Sequence, residues 1–332
     1  MADSLGGAPE VNSPAARPSA DPDANANRNA NRNANADGVA GSEVGTGPTI
    51  ITLDALPNLG VLFARAAATS IGRGGALGDV EVRRPDVRVE RTRLAAYDKV
   101  CGFALRDELP ATYLHVLIFP LQVVLMVDRR FPLGLPGLVH VRNRIVAHRP
   151  VDADEVLSLS SSARALRPHP KGSQVDLVGE VRVGEELVWE GISTYLARGA
   201  SAPGEVGPET HPGVELAADA IPTAVWHVPA DMGRRYASVS GDVNPMHLSS
   251  LVAKAFGFPR ALVHGMWTKA HALAALEPRL PAAYVVDVAF SQPLLLPAIT
   301  NLVVLQRDQG WDFVVRPARA AGDHLRGTVR AI

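Results

Sequence analysis

The chain has 332 residues, 47% of them hydrophobic, enough to bury a sizeable core in one large domain or two medium ones. It carries 33 Lys+Arg against 34 Asp+Glu, and this formal net charge of -1 removes the simplest electrostatic case for nucleic acid or an anionic membrane surface. A single cysteine, Cys101, excludes an intramolecular disulfide and any cysteine-rich metal site.

The N-terminus, MADSLGGAPE, lacks the basic start and apolar core of a signal peptide. No stretch reaches the roughly 18 apolar residues of a membrane span. Val116 to Val127 comes nearest, broken by Pro120 and Gln122. A soluble cytoplasmic protein is the expectation. Residues 1–48 hold the low-complexity run ANANRNANRNANADG, which has no large apolar residue to offset the entropy of ordering. They read as a disordered tail, with a tethering role and no role both open.

From Thr49 the pattern turns globular. A helix is expected near Leu94–Phe103 and a longer apolar one near Tyr113–Arg130. Strands follow near Leu138–Ala147, Val156–Ala165, Val175–Val183 and Leu187–Ala197, the last two flanking a hairpin signal at Gly184-Glu185-Glu186. Residues 198–221, rich in Gly, Pro and acidic residues, read as a linker between a first half, 49–197, and a second, 222–332. The second half opens with a strand near Ala224–Val228 and helices near Ala230–Val239 and Met266–Leu276. Four strands end it, near Tyr284–Phe290, Thr300–Arg307, Trp311–Pro317 and His324–Ile332. Each half is therefore helix, long helix, four strands. Repeated order without repeated letters points to duplication and to an α+β solution in which an antiparallel sheet covers one long helix, twice.

The chemistry concentrates between Tyr236 and Met266. Gly241 permits a sharp helix end, and Pro245 pushes Asn244 out of the helical region. Together they predict a rigid non-helical turn carrying Asp242, Asn244 and His247. A carboxylate and an imidazole five residues apart on such a turn can converge on one water for acid–base work. The bland alternatives are a turn-capping Asp242 and a structural His247. A short helix capped by Ser249 or Ser250 and stopped by Gly257 and Pro259 comes next. Then Gly265 opens the long helix, leaving an uncrowded backbone N–H suited to a carbonyl oxygen gaining charge. His264 reads as a helix-start residue that orients the loop. His115, His140 and His148 read as structural, and Cys101 as an inert buried thiol. His271 with His247 fits no closed zinc spacing, so no metal is expected.

The stretch Tyr236-Ala-Ser-Val-Ser-Gly-Asp-Val-Asn-Pro-Met-His247, with Ala253, Gly257-Phe258 and His264-Gly265-Met266, resembles the hydratase-2 motif of MaoC-like (R)-specific enoyl-CoA hydratases and 3-hydroxyacyl-thioester dehydratases. Phe290-Ser-Gln-Pro293 resembles that family's later strand. In the first half, Leu109-Pro-Ala-Thr-Tyr-Leu-His115, Phe119-Pro120-Leu121 and Gly137-Leu138-Val139-His140 resemble the two-hot-dog actinobacterial members. The resemblance implies a double hot-dog fold, a pseudo-dimer whose first half has lost the chemistry and helps shape an acyl pocket.

By that resemblance Asp242 and His247 are the catalytic pair, Asn244 braces the loop or contacts the pair, and the Gly265 N–H holds the thioester oxygen. Ser240, His264 and Met266 are implied at the substrate, with Lys254, Arg260 and Lys269 as candidates for its phosphates. Arg142 and Arg144 remain uncertain as phosphate contacts. The reaction implied is reversible hydration of a trans-2-enoyl thioester to the (R)-3-hydroxyacyl product, in fatty acid metabolism. No cofactor is needed, because coenzyme A or phosphopantetheine enters with the substrate. The partner is an acyl-CoA or an acyl carrier protein thioester, and the chain acts as a pseudo-dimeric monomer or a homodimer. A thioesterase and a non-catalytic acyl-thioester scaffold are the alternatives. Pro120 raises the further expectation of a bent helix and a preference for longer enoyl chains.

Overall fold

A computed structural model describes residues 47–69, 72–135, 137–208, 212–214, 216–217 and 219–332. The expected tail lies outside these except for Gly47 and Pro48. All the described residues belong to one compact unit.

Strand β1 (Thr49–Thr52), helix α1 (Leu59–Thr69) and strand β2 (Val80–Val87) precede the first expected helix. Helices α2 (Arg91–Cys101) and α3 (Ala111–Val127) follow, then strands β3 (Leu138–Ala147), β4 (Leu157–His169), β5 (Gly172–Val183) and β6 (Glu186–Arg198). The second half runs β7 (Ala224–Val228), α4 (Met232–Ser240), α5 (Pro245–Leu248), α6 (Ser250–Ala255) and α7 (Gly265–Leu276). It ends with β8 (Tyr284–Phe290), β9 (Ala298–Arg307), β10 (Gly310–Pro317) and β11 (Leu325–Ala331).

The strands make one 11-stranded sheet in the order β1-β2-β4-β5-β6-β3-β8-β11-β10-β9-β7. That order contains the same five-strand pattern twice. β2-β4-β5-β6-β3 mirrors β7-β9-β10-β11-β8, and the copies meet back to back where β3 pairs antiparallel with β8, Arg142 opposite Ala289 through Ala147 opposite Tyr284. The repeated element order thus corresponds to a repeated topology, with β1 appended parallel to β2. The first half needs β2 to complete the match. β2 escapes a hydropathy reading because Glu81, Arg83, Arg84 and Asp86 crowd a strand that buries Val80, Val82 and Val87.

The central helices explain the wrap. In α3 every residue but Val124 and Val127 is buried, and the helix continues through Pro120. A helix apolar all round must be covered on all sides. In α7, Ala270 and Ala272 are fully buried and let the sheet approach closely. One apolar core runs through both halves, from Val82 and Ile118 to Val286 and Phe313. A second, smaller cluster lies wholly in the first half, around Phe119, Val123, Met126, Leu138 and Tyr195. No helix among the described residues is long and apolar enough to cross a membrane.

Candidate active site

Helix α4 ends on Gly241, whose φ of +77° lies in the left-handed region and whose N–H donates to the Ala237 carbonyl at 2.9 Å. The Ser240 hydroxyl accepts the Asp242 N–H at 3.2 Å, and Asp242 Oδ1 accepts the Asn244 N–H at 3.2 Å. Asn244 Oδ1 in turn accepts the Met246 N–H at 3.4 Å. Asn244 is therefore the cap of α5 and braces the loop through the backbone.

One expectation is corrected here. His247 sits on a single helical turn, α5, and not on a non-helical one. Pro245 is the reason: its fixed φ disrupts the residue before it but suits the first helical position. The turn packs against α4 at Gly233, where a Cβ would stand 2.1 Å from the His247 carbonyl oxygen. Ser249, its side chain accepting the Val252 N–H, caps α6.

The chain then returns beneath the loop. The Leu262 carbonyl accepts a hydrogen bond from His247 Nδ1 at 2.9 Å, leaving the Nε2 lone pair of a neutral ring for chemistry. The His264 ring stacks on His247 with centroids 3.7 Å apart, and its Nε2–H donates to the Asp242 backbone carbonyl at 2.9 Å. Asp242 Oδ2 lies 3.7 Å from that nitrogen. Tyr236 closes the other side, its ring 5.0 Å from His264. His264 is thus the residue that holds loop and helix start together.

Burial sets the protonation states. It raises the Asp242 carboxyl above its ordinary range, opposed by neighbouring His247. It lowers His247, opposed by the Asp242 charge, and lowers His264 further, with His247 adding to the effect. The site therefore favours neutral imidazoles beside a carboxylate that takes up a proton more readily than usual. Asp242 keeps a quarter of its side chain, 25%, accessible.

One donor atom each from Asp242, His247 and His264 lies within 4.8 Å of the others, a spacing that a metal ion tolerates. Hydrogen bonds already hold one nitrogen of each ring, His264 Nε2 donating to the Asp242 carbonyl and His247 Nδ1 to the Leu262 carbonyl.

Gly265 opens α7, so its N–H has no intrahelical acceptor. Its surroundings are less open than expected: a Cβ there would stand 2.9 Å from the Phe290 ring. The ring fixes the helix start and requires glycine. Met266 is buried in the core, and Ser240 is buried behind the loop.

Lys254 and Arg260 are exposed near the loop, where an anion can reach them. Lys269 is not available to phosphate. It is fully buried, its Nζ donating to the carbonyl of Asn143 at 3.2 Å and to that residue's side-chain oxygen at 2.5 Å. Arg142 likewise pairs across the halves with Asp287 at 2.9 Å. His271 is held by the Cys101 carbonyl at 2.7 Å between Trp226 and Trp267, away from His247. Cys101 is buried and its thiol is pushed far up.

Sequence reasoning missed Gly233 and the Leu262 tether. A glycine inside a short helix was the available signal for the first. It also read His140 as merely structural and passed over Tyr195, both close to the site through Phe290 and Asp242. In the first half, the counterpart position holds a cleft of about 500 Å³ between the loop before α3 and the end of α7, with Phe103, Glu108, Leu109, Ala111, Leu273 and Tyr284 on its walls. It has no carboxylate–imidazole pair.

Residues 208–298, which contain the site, match the MaoC like domain family. The 3-hydroxyacyl-thioester dehydratase X of Mycobacterium tuberculosis is 35% identical over 270 residues, 81% of this chain and 95% of that protein. The crystal structure of M. tuberculosis HtdX superposes with a TM-score of 0.68 at 34% identity, covering 76% of this chain and 100% of that one. A MaoC-like dehydratase from Phytophthora capsici shares the fold with a TM-score of 0.65 at 17% identity, covering 80% and 97%.

Proposed function

Because the chain belongs to the MaoC-like dehydratase family, we propose that it interconverts trans-2-enoyl and (R)-3-hydroxyacyl thioesters in fatty acid metabolism, using Asp242, His247 and the Gly265 N–H. The observation that carries the residue assignment is the tether of His247. With Nδ1 bonded to Leu262, its Nε2 lone pair is left beside the Asp242 carboxylate, next to the start of α7.

In hydration, one water lies between Asp242 and His247. Its oxygen bonds to C3 while one of the pair takes a water proton, and the C2=C3 electrons move toward the thioester carbonyl. The Gly265 N–H stabilises the oxygen that gains charge. A proton held by the pair then goes to C2, so H and OH add across the double bond. Dehydration is the reverse. Asp242 and His247 titrate as a coupled pair. Asn244 and His264 hold the loop, and Lys254 and Arg260 face the carrier phosphates. The chemistry needs no metal or redox group, since coenzyme A or phosphopantetheine arrives with the substrate. The two halves supply both sides of a dimer-like cleft, so a monomer is complete for catalysis, and a cytosolic site of action suits the substrate.

The test is direct. The chain is mixed with trans-2-enoyl-CoA, loss of the conjugated absorbance is followed, and product chirality is determined. An (R)-3-hydroxy product supports the reading. A folded chain inert on coenzyme A and acyl carrier protein thioesters of every length sinks it and favours a binding protein.

A further inference from the structure

Two imidazoles of the first half are left unused by this chemistry, His115 on α3 and His140 on β3. The β3–β6 ladder slips between His140 and Arg142, a bulge of the kind that re-aims a side chain. His140 stacks on Tyr195 with centroids 4.6 Å apart and an interplanar angle of 16°. It faces His115 at 6.2 Å and tilts against Phe290 at 5.1 Å. Phe290 is the ring that packs on Gly265. An unbroken run of rings thus joins Tyr195 to the start of α7. Tyr195 also senses Asp242, whose charge adds to burial in keeping the phenol protonated.

His115 Nδ1 and His140 Nε2 are buried without a hydrogen-bond partner in the protein. Burial holds both rings neutral. His140 also hydrogen-bonds to the Arg142 backbone, so Nε2 is the atom it has left to offer, and His115 offers Nδ1. The phenol adds a third group, on a residue only 8% exposed that also belongs to the apolar cluster of the first half. Buried polar atoms thus lie between Phe290 beside Gly265 and the apolar cluster of the first half. A hydrocarbon chain laid against them leaves the two imidazole nitrogens unpaired, and an unmade buried hydrogen bond costs more than a made one contributes. An oxygen on the chain would pair them.

We infer that the substrate of this site is an acyl thioester bearing a hydroxyl or keto oxygen beyond C3, hydrogen-bonded by His140 and Tyr195 of the first half. The inference rests on the hydratase reading and narrows it. Neither residue handles the reacting proton; both position the chain.

The experiment compares trans-2-octenoyl-CoA with its 5-hydroxy, 5-keto and 7-hydroxy counterparts, in the full chain and in His140→Phe and Tyr195→Phe. Phenylalanine keeps the ring stack and removes the polar atom. The expected result is a kcat/KM about 10-fold higher for an oxygenated chain, falling to a ratio near one in either variant. A wild-type ratio of one or below for every oxygenated chain overturns the proposal, as does a ratio unchanged in both variants. Turnover of the plain chain reports on the hydratase reading separately. Calorimetry with octanoyl-CoA and its 5-hydroxy, 5-keto and 7-hydroxy counterparts repeats the comparison without turnover or variants. Tighter binding of an oxygenated chain supports the proposal, and equal binding of all of them overturns it.

Discussion

The two halves share five strands in the same order and a buried central helix, yet they open that helix differently. Helix α7 opens on Gly265 beneath a loop that gathers Asp242, His247 and His264 within 4.8 Å. Helix α3 opens on Ala111, and its preceding loop brings Arg106, Glu108 and apolar residues, but no histidine, to the counterpart cleft. The difference teaches that the fold supplies a position for chemistry, a helix start facing the other half, twice. The residues in one short loop decide whether chemistry occurs there.

The strongest way to break this comparison is to disable each loop in turn. Asp242→Asn and His247→Gln should each lower kcat/KM for enoyl-thioester hydration by about 10² to 10⁴. Glu108→Gln should change it by less than about 2-fold, since general acid–base effects need the group at the reacting atom. Circular dichroism of all three checks folding. A Glu108→Gln loss as large as that of Asp242→Asn would mean that both clefts act.

Next in size is the helix start. In Gly265→Ala the new methyl meets Phe290, whose ring stands 2.9 Å from its place. The donor shifts, and kcat should fall by about 10²-fold. Adding Phe290→Ala should restore part of the loss by making room. Ala111→Gly, the matching change in the first half, should leave kcat as it is. Steady-state rates of the three variants decide the point.

The candidate catalytic loop is legible in the sequence because its parts are local: Gly241, Pro245 and the spacing of Asp242 from His247 act within one turn. The long helices and the late strands are legible for the same reason, through periodicity. What the sequence hides is non-local. β2 is a strand because β4 covers it, not because of its own charged residues. Lys269 looks like a phosphate contact until its burial against Asn143, 126 positions away, is known. His140 and Tyr195 meet only through the β3–β6 register, which no local pattern encodes.

Buried histidines in both halves should make the fold sensitive to acid. Burial pushes His115 down to about 3 from its ordinary 6.5. Above pH 6.5 the ring is neutral folded or unfolded. Below it, the unfolded chain takes up a proton that the folded chain refuses, so stability falls as pH drops toward 3. His115→Leu should flatten that fall by a few kcal/mol, measured as urea midpoints between pH 7 and pH 4. An unchanged slope would assign the acid sensitivity to the other histidines lowered by burial, His140, His247 and His264 among them.

The smallest effect concerns the seam. Arg142 of β3 and Asp287 of β8 form a partly buried ion pair, with 29% and 14% of their side chains exposed. The backbone ladder from Arg142–Ala289 to Ala147–Tyr284 holds the same strands together without it. Arg142→Gln should therefore cost only about 1 kcal/mol, or about 2 °C in Tm. The shape of the transition matters more than its midpoint. The apolar core and the sheet run through both halves, so one cooperative unfolding transition should move as a whole. If calorimetry of the variant splits into two transitions, the halves are separately stable units joined at β3 and β8. The first half would then be a partner held by the seam and no longer a part of the same core.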